Sequence, residues 1–452
     1  MSSIENLGGE DLGQDTSIQK VALASAIGAT IEWYDFFVYG TAAGLIFNKL
    51  FFTSLDPVAG TLAAYASFAA GFVARPLGGI IFGHFGDKIG RKTMLVMTLL
   101  IMGIATFIIG LLPTYNSIGI WAPILLLTLR VFQGIGVGGE WGGAVLMAVE
   151  HSPEDRRGYW GSWAQIGVPA GLTLGTGVFA LLSLLPEDQF YAWGWRLAFL
   201  LSIVLVAVGL YIRLKIAETP AFSEVKEMEE ESQRPFVELL RTHPKELLLG
   251  MGTRFAEGVC FNIYGVFAVT YLVSYQGLSN TTALTGVLIG AAIAMCLVTI
   301  FGRLTDRFGR RPIFGAGVVL FGLSAFPAFW LFDTRTPVLI CLALAIALGI
   351  AYPMMHGPQA SFYSELFNTR IRYSGVSFVY QFSGIFASGL TPLIATALLA
   401  WSGNESWAVI GYMVLIAFLS LASLYALQET FRKDISYTKT HRVRAPQPAA
   451  KG

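Results

Sequence analysis

The sequence predicts an all-α, polytopic membrane protein with twelve transmembrane helices in two pseudo-symmetric six-helix bundles. Three observations predict this fold: a strongly apolar composition, apolar segments of membrane-spanning length along the whole chain, and motifs that repeat between its halves. Hydrophobic residues make up 54% of the chain and charged residues 13%, about half the charged share of a soluble domain. The mean hydropathy of +0.62 indicates that lipid surrounds most of the protein.

A membrane-spanning helix needs about 20 mostly apolar residues. Twelve such segments, numbered here as spans 1 to 12, lie near residues 21–48, 58–83, 93–112, 119–149, 158–184, 191–213, 246–275, 282–302, 312–332, 337–364, 373–400 and 405–428. They predict an N-terminal bundle at 21–213 and a C-terminal bundle at 246–428. Residues 1–20, the linker 214–245 and residues 429–452 are the predicted polar tails and connection.

Lysine and arginine residues are distributed unevenly between the connections. One set of connections, together with both termini, holds 24 of the 30. Because positive charge flanking transmembrane helices stays on the cytoplasmic side, we expect both termini to be cytoplasmic in a multi-pass protein of the cell inner (plasma) membrane. The polar, acidic first residues do not resemble a cleavable signal peptide.

Several classes of function are disfavoured. The net charge of +1 gives no indication of a nucleic-acid partner. Cys260, Cys296 and Cys341 lie in apolar stretches without metal-ligand or disulfide spacing, which predicts packing residues. The chain has no H-E-x-x-H motif and no G-x-S-x-G nucleophile. We therefore expect that the protein is not an enzyme and binds no cofactor or metal. We expect a monomer whose partners are membrane lipid, a small-molecule substrate and protons.

The two halves repeat the same loop motif. Residues 83–92 follow span 2 and residues 302–311 follow span 8, and both read G-x-x-x-D-x-x-G-R-[KR] at an offset of 219. Further pairs occur in the same order at similar offsets: Glu150 and Arg157 with Glu365 and Arg372, and Glu32 and Tyr39 with Glu257 and Tyr264. Internal repeats of this kind are typical of transporters that bind a ligand between two bundles.

The loop motif permits two compatible interpretations. Its glycines suit tight turns and its basic residues fix topology. Its aspartates could also pair with arginines or with a helix N-terminus and so latch one conformation. The predicted latch residues are Asp87, Arg91, Asp306, Arg310, Glu150, Arg157, Glu365 and Arg372.

Ionisable residues inside the spans are the strongest functional signal. Each costs roughly 2.5–3.5 kcal/mol at a helix centre, which a structural role alone rarely justifies. They are Glu32, Asp35, Arg75, Arg130, Glu140, Arg254 and Glu257. Four carboxylates against three guanidinium groups leave one carboxylate that could carry a proton. Asp35 lies near the membrane midplane, about 22 Å along the helix from Lys20, and we expect it to be the proton carrier, with Glu32 next.

These residues lie in motifs that identify a family. The doubled loop motif resembles the signature of the major facilitator superfamily. Four stretches are similar to its metabolite:proton symporter family: Glu32-Trp-Tyr-Asp35-Phe, Ala74-Arg75-Pro76-Leu-Gly-Gly, Arg130-Val-Phe-Gln133-Gly with Gly138-Gly-Glu140-Trp-Gly-Gly, and Trp193-Gly-Trp-Arg196. The resemblance covers residues 21 to 428 and implies the major facilitator fold. That family carries shikimate, α-ketoglutarate, citrate, and proline or betaine.

The resemblance also implies roles for individual residues. The family's fourth-helix Arg-x-x-Gln-Gly is its proton-coupling motif, which nominates Arg130 as the cation that acts on Asp35. A permanent salt bridge between these two residues is the alternative. Arg254-x-x-Glu257 and Arg372-Tyr-Ser-Gly375 look most like the shikimate carrier. The short C-terminal tail without heptads differs from the long coiled coil of the osmosensing betaine carriers.

Polar residues of several spans are candidates for the substrate. Arg75 could attract an anion or extend to the nearby interface, and Arg254 could bind a carboxylate or only neutralise Glu257. Span 10 carries a polar stripe at helical spacing that suits a cavity lining. The predicted substrate-binding residues are Arg75, Tyr39, Gln133, Gln165, Arg254, Glu257, Tyr352, His356, Gln359 and Gln381.

Together these observations predict a secondary active transporter. We expect proton-coupled symport of a small carboxylated metabolite, shikimate-like or a dicarboxylate, by alternating access. A proton-coupled carrier of proline or betaine is the alternative. A membrane sensor that binds a ligand without moving it is less favoured, because the short tails offer no output domain.

Overall fold

The helices of the N-terminal half form six spans. The computed structural model describes residues 9–89, 91–138, 141–150, 152–215, 235–368 and 371–432, which contain no strand. The helical segments are Gly9–Ala42, Ala43–Phe47 and Asn48–Leu50 (span 1), Pro57–Ile89 (span 2), Arg91–Leu111 (span 3), Trp121–Val137 and Trp141–Glu150 (span 4), Arg157–Gln165 and Gly167–Leu182 (span 5), and Glu187–Gln189, Phe190–Gly194, Trp195–Leu200 and Ser202–Lys215 (span 6). A short helix, Tyr115–Ile118, precedes span 4.

The C-terminal half repeats this arrangement. Its helical segments are Pro244–Asn262, Ile263–Phe267, Ala268–Thr270 and Tyr271–Tyr275 (span 7), Asn280–Phe308 (span 8), Arg310–Asp333 (span 9), Pro337–Ile346, Ala347–Ala351 and Tyr352–Leu366 (span 10), Arg372–Gly384, Ile385–Gly389 and Thr391–Trp401 (span 11), and Trp407–Ala426 (span 12). An amphipathic helix, Pro235–Thr242, precedes span 7. The prediction of an all-α protein is confirmed.

Most spans are apolar and long enough to cross a bilayer. Within the described ranges, nine helices meet this condition by length and composition, and they coincide with predicted spans 2 and 5 to 12. Spans 3 and 4 contain shorter apolar helices, Val96–Leu111 and Trp121–Val137. Span 1 carries Glu32 and Asp35 in its interior, which lowers its hydropathy without changing its position in the bundle.

Two helices extend beyond the predicted spans. The helix of span 1 begins at Gly9, inside the segment predicted as a polar tail. The helix Pro235–Thr242 lies within the predicted linker. Hydropathy locates the apolar part of a helix, whereas the backbone hydrogen bonds of a helix can continue into water without apolar side chains.

Two equivalent pairs of helices make most of the contacts between the bundles. Within the N-terminal bundle, span 1 packs on span 5 and span 2 packs on span 4. Within the C-terminal bundle, span 7 packs on span 12. Between the bundles, span 5 packs on span 8, and span 2 packs on span 11. The sequence repeat relates span 2 to span 8 and span 5 to span 11. The two cross-bundle pairs are therefore related by the predicted pseudo-symmetry.

Glycines let spans 2 and 4 approach backbone to backbone. A Cβ at Gly134 would collide with the carbonyl oxygen of Gly71, and one at Gly138 with that of Arg75. A side chain at Gly71 would in turn meet the guanidinium of Arg130. Small residues permit such close packing of membrane helices, and this packing places two buried arginines beside each other.

Gly134→Ala is expected to lower the melting temperature of the purified protein by several degrees, because overpacking of a tight contact costs about 1–3 kcal/mol. Gly411→Ala in span 12 is the matched control, since a Cβ there meets no atom within 4 Å. Alanine favours a helix over glycine, so the control should retain or slightly raise the melting temperature. Equal melting temperatures for the two variants would show that the contact between spans 2 and 4 is looser than described.

Candidate functional site

The predicted intramembrane charges are buried inside the protein. Glu32, Asp35, Arg75, Arg130, Arg254 and Glu257 are each at most 7% exposed. Glu140 lies outside the described residues. Charge that faces neither water nor lipid needs partners within the protein, and the partners divide these residues into two clusters.

The first cluster surrounds Arg130 in the N-terminal bundle. Its guanidinium carbon lies 3.7 Å from the ring centre of Phe36 and 4.2 Å from that of Tyr39. Its Nη1 donates to Oε1 of Gln133 at 3.0 Å. The Tyr39 hydroxyl forms a hydrogen bond of 2.7 Å with Ser67. Tyr39 and Gln133, both predicted for the substrate, thus lie against the predicted proton-coupling arginine.

Asp35 reaches Arg130 only through intermediates. Gln133 Nε2 donates to the hydroxyl of Thr106 at 2.7 Å, and the carboxylate of Asp35 interacts with that same hydroxyl. None of the ion pairs among the described residues joins Asp35 to Arg130. In this conformation neutral Gln133 and Thr106 lie between the two charges, so the salt bridge of the alternative is not formed here.

Arg75 is held among aromatic rings between the two clusters. Its guanidinium carbon lies 4.2 Å from the ring centres of both Phe36 and Phe72 and 4.9 Å from Trp33. It is 1% exposed, so the alternative that it extends to the interface is wrong. Its Nε and Nη2 have no hydrogen-bond partner among the described residues. Phe36 contacts both Arg75 and Arg130 and links the clusters.

The second cluster joins spans 7, 10 and 11 of the C-terminal bundle. Arg254 Nε lies 3.7 Å from Glu257 Oε2, and His356 Nδ1 lies 3.1 Å from Glu257 Oε1. Arg254 also donates to Ser383 Oγ at 3.2 Å and stacks on the ring of Tyr380, 3.8 Å from its centre. Arg254 and Glu257 do neutralise each other, as the alternative proposed, and a histidine shares the same carboxylate.

The N-terminal bundle contacts this second cluster directly. The ring of Trp141 stacks on Tyr380 with centres 3.5 Å apart. Trp141 Nε1 donates to Gln165 Oε1 at 3.0 Å, and Gln165 Nε2 donates to the backbone carbonyl of His356 at 3.2 Å. Gln381 of span 11 donates to the carbonyl of Gly138 at 2.9 Å. These contacts place Gln165 and Gln381 at the seam between the bundles.

The polar stripe of span 10 faces the second cluster. Tyr352 stacks on His356 with ring centres 4.8 Å apart. Gln359 lies beside Glu257, and its amide makes no hydrogen bond of good geometry with any described residue. Tyr363 shares a 3.1 Å hydrogen bond with Thr253. The stripe points into the protein and leaves amide and ring nitrogen atoms without hydrogen bonds of good geometry to described residues, beside the pair of Arg254 and Glu257.

A network of charges connects the bundles at the end that carries the repeated loops, called here the motif end. Asp306 accepts hydrogen bonds from the backbone N–H groups of Gly158 (2.7 Å) and Tyr159 (2.8 Å). Arg310 donates to Asp306 at 2.7 Å and to Glu365 at 3.0 Å. Asp306 thus pairs with both an arginine and the N-terminus of span 5, as the sequence predicts.

A second ion pair crosses the seam at the motif end. Arg372 at the start of span 11 donates to Glu150 at the end of span 4, at 2.7 Å. Arg157 pairs with Glu154 of its own bundle at 3.6 Å. The side chains of Asp87 and Arg91 lie outside the described residues, so their predicted part in the latch stays a prediction.

Hydrogen bonds also join the bundles at the opposite end. Tyr65 of span 2 and Thr270 of span 7 share one of 2.6 Å, and Ser183 of span 5 and Thr281 of span 8 share one of 3.1 Å. The described conformation is therefore closed at both ends, with the two charge clusters enclosed between them.

Some residues of the site carry no recognisable signal in the sequence. Thr106 lies in an apolar helix, and only the fold brings it to Asp35. Tyr380 is adjacent to Gln381, which the sequence predicts to bind substrate, and Trp141 lies in the Gly-Gly-Glu-Trp stretch of span 4. Glu429 accepts hydrogen bonds from the backbone N–H of Arg310 at 3.1 Å, and Thr430 donates to Glu365 at 2.7 Å. These last two extend the latch into the predicted C-terminal tail.

Two helical bundles that enclose buried charge define the class of a membrane transporter. The family model of the Major Facilitator Superfamily matches the chain in two overlapping stretches, residues 25–389 and 297–448. The chain belongs to this superfamily. Membership of this superfamily, which the repeated loop motif predicted, is confirmed.

Individual relatives agree with this assignment. The chain is 39% identical to the shikimate transporter of Escherichia coli (strain K12), over 92% of this chain and 95% of the relative. It is 37% identical to the proline/betaine transporter of the same organism, over 93% and 85%. A crystal structure of a D-xylose-proton symporter superposes with a TM-score of 0.70 at 20% identity, covering 92% of this chain and 99% of that one.

Asp306→Asn is expected to favour the conformation that is open at the motif end. Asparagine can still accept a hydrogen bond but lacks the charge at the N-terminus of span 5, which contributes about 0.3–1 kcal/mol and up to about 2 kcal/mol when partly buried, so the equilibrium should shift by up to roughly thirtyfold. The readout is the rate of maleimide labelling of Ala360→Cys, whose Cβ faces Gly161 across the seam, with the three native cysteines replaced by serine.

Asp333→Asn provides the control, because Asp333 lies at the opposite end and binds Tyr271 of its own bundle. Its labelling rate should match that of the parent. Asp306→Asn labelling no faster than Asp333→Asn would remove Asp306 from the latch.

Proposed function

We propose that the chain is a proton-coupled symporter that takes up a small carboxylated metabolite by alternating access. The observation that carries this proposal is the pair of buried guanidinium groups, Arg75 from the N-terminal bundle and Arg254 from the C-terminal bundle. A Cβ at Gly384 would lie 3.4 Å from Nη1 of Arg254 and 3.7 Å from the ring of Phe72, and that ring lies against Arg75. A carboxylate placed between them would bind both halves at once.

The charges around this pair favour an anion. Glu257 offsets Arg254, whereas Arg75 has no ion pair among the described residues and interacts with Glu32 only at longer range. An unpaired buried guanidinium is costly, and a carboxylate can accept two parallel hydrogen bonds from it. The free Nε and Nη2 of Arg75 are donors of the kind such a ligand requires.

Asp35 supplies the proposed proton site. When Asp35 is ionised it attracts the guanidinium of Arg130, and a proton on Asp35 removes that attraction. Gln133 holds Arg130 and also contacts Thr106, the partner of Asp35. The proton state of one carboxylate can therefore alter how an arginine of span 4 is held, and span 4 packs on span 2, which carries Arg75.

Alternation between two open states would use the contacts at the two ends. Breaking the contacts of Asp306 and Arg372 opens the motif end, and breaking the bond of Tyr65 with Thr270 opens the other. We place the motif end and both termini at the cytoplasm of the inner membrane, because the basic loops lie there, and we propose that the transporting unit is a monomer.

A carrier of a zwitterion such as proline or betaine is the second candidate. It is favoured by the identity shared with a proline/betaine transporter and by the aromatic rings around Arg75, which could also face a quaternary ammonium group. Uptake of labelled shikimate and of labelled glycine betaine into proteoliposomes decides between the two, since each proposal requires saturable uptake of its own ligand.

Asp35→Asn should abolish proton-driven accumulation of the substrate while preserving part of its exchange across the membrane. The amide cannot carry the proton, but it leaves the binding cluster of Arg254 unchanged. Accumulation and counterflow of labelled shikimate in proteoliposomes measure the two activities. Asp56→Asn, a change in an exposed loop carboxylate that only caps a helix, should behave as wild type. Full accumulation by Asp35→Asn would remove this residue from proton coupling.

Arg254→Ala should weaken shikimate binding more than tenfold, since a hydrogen bond to a charged group contributes about 1.5–3 kcal/mol. Binding of the uncharged shikimate amide should change much less. Arg335→Ala, in an exposed loop where the arginine binds Gln276, is the control and should bind both ligands normally. The same loss for acid and amide would indicate that Arg254 serves packing against Tyr380.

A further inference from the structure

His356 is a buried ionisable group that proton coupling through Asp35 does not use. It lies on span 10 with 0% exposure, and its Nδ1 lies 3.1 Å from Oε1 of Glu257. Neither ring nitrogen makes a hydrogen bond of good geometry with a described residue. Histidine is the side chain whose ordinary charge change falls near physiological pH.

We propose that His356 is a second proton-binding site, whose proton binds together with the carboxylate of the substrate. This inference rests on the proposed function, because it places a proton-binding side chain in the same ligand site. Glu257 is shared by Arg254 and His356. With a neutral imidazole the three side chains have no net charge, and with an imidazolium they carry one positive charge.

Without a ligand, a proton on His356 would give the site a net positive charge. Facing the Glu257–His356 pair are Arg254 and Cys260 on span 7, Tyr352 and Tyr363 on span 10, Tyr380 on span 11 and, further away, Arg75 on span 2. Among the described residues Glu257 offsets Arg254, and Glu32 of span 1 interacts with Arg75, so these charges balance while the imidazole is neutral. A proton on His356 would therefore leave one positive charge without a counterion, which is costly inside the protein.

A substrate carboxylate reverses this balance. An anion beside Arg254 and Arg75 lowers the positive potential at His356, so the imidazole gains affinity for a proton. By linkage the proton raises the affinity for the anion by the same factor. Anion and proton would then enter as a neutral pair, and neither has to be buried in the protein alone.

His356 also lies where the two bundles meet, so a movement of one bundle against the other would change its surroundings. Gln165 of span 5 donates to the backbone carbonyl of His356 at 3.2 Å, and Trp141 of span 4 holds Gln165 at 3.0 Å. The second proton site thus lies at the seam, in the bundle opposite to Asp35. The two sites should bind protons in separate steps.

Proton uptake on ligand binding tests this assignment. The probe is whichever of shikimate, α-ketoglutarate and citrate most stabilises the unmodified protein in a thermal-shift screen. Uptake is followed with a pH-indicator dye in weakly buffered detergent solution between about pH 5.5 and 8. All variants carry Asp35→Asn, which removes the first proton site from the measurement.

Asp35→Asn alone should take up as much as about one proton per ligand bound, and its Kd should fall up to about tenfold for each unit that the pH is lowered. Addition of His356→Gln should leave binding measurable but remove both the uptake and the pH dependence. His356→Asn is a second replacement in case glutamine impairs folding. His243→Gln, a histidine outside the site that binds Thr242, should retain the uptake.

Uptake that is equal with and without His356, or absent from Asp35→Asn although the ligand binds, would overturn the second proton site and leave the proposed transport intact. Failure of the unmodified protein to bind any of the three acids at any pH would overturn the proposed substrate class, and this assignment with it.

Discussion

Placing charge inside a lipid-embedded bundle is the constraint on which the rest of this structure depends. An arginine at the membrane centre must find its partners in the protein, and the three described here find them in different ways. Arg130 has an amide and three rings, Arg254 has a carboxylate and a ring, and Arg75 has three rings. Arg130 and Arg75 each keep two donors without a partner among the described residues, so the kind of partner, an amide for Arg130 and a carboxylate for Arg254, distinguishes the proton cluster from the ligand cluster.

Aromatic side chains allow these guanidinium groups to lie so close together. Phe36 lies against both Arg75 and Arg130, and Tyr380 lies between Arg254 and Trp141. The negative face of a ring offsets positive charge without introducing a fixed anion. The rings therefore leave guanidinium donors available to a carboxylate ligand. A protein carboxylate in the place of a ring would occupy those donors. The backbone contact of spans 2 and 4 is what brings the two N-terminal arginines together.

The fold and the identity of the charged residues could be predicted from the sequence, because membrane insertion leaves a strong signal. Apolar segments located the spans, and the repeated loop predicted that Asp306 would pair with an arginine or a helix N-terminus. The pairings within the site could not be predicted. Thr106 separates Asp35 from Arg130, and Glu429 caps span 9, only because helices far apart in sequence pack together. Both are side chains of a kind that also occurs in apolar helices and tails for unrelated reasons, so no pattern marks them.

The most direct test of coupled carboxylate and proton movement uses proteoliposomes that contain a pH-sensitive dye. Shikimate is added outside, at equal pH on both sides and with the membrane potential short-circuited by potassium and valinomycin. Coupled entry predicts that the lumen acidifies at a rate that follows uptake of labelled shikimate and is absent from protein-free vesicles. Saturable shikimate uptake without acidification of the lumen would contradict the coupling of protons to the buried carboxylates.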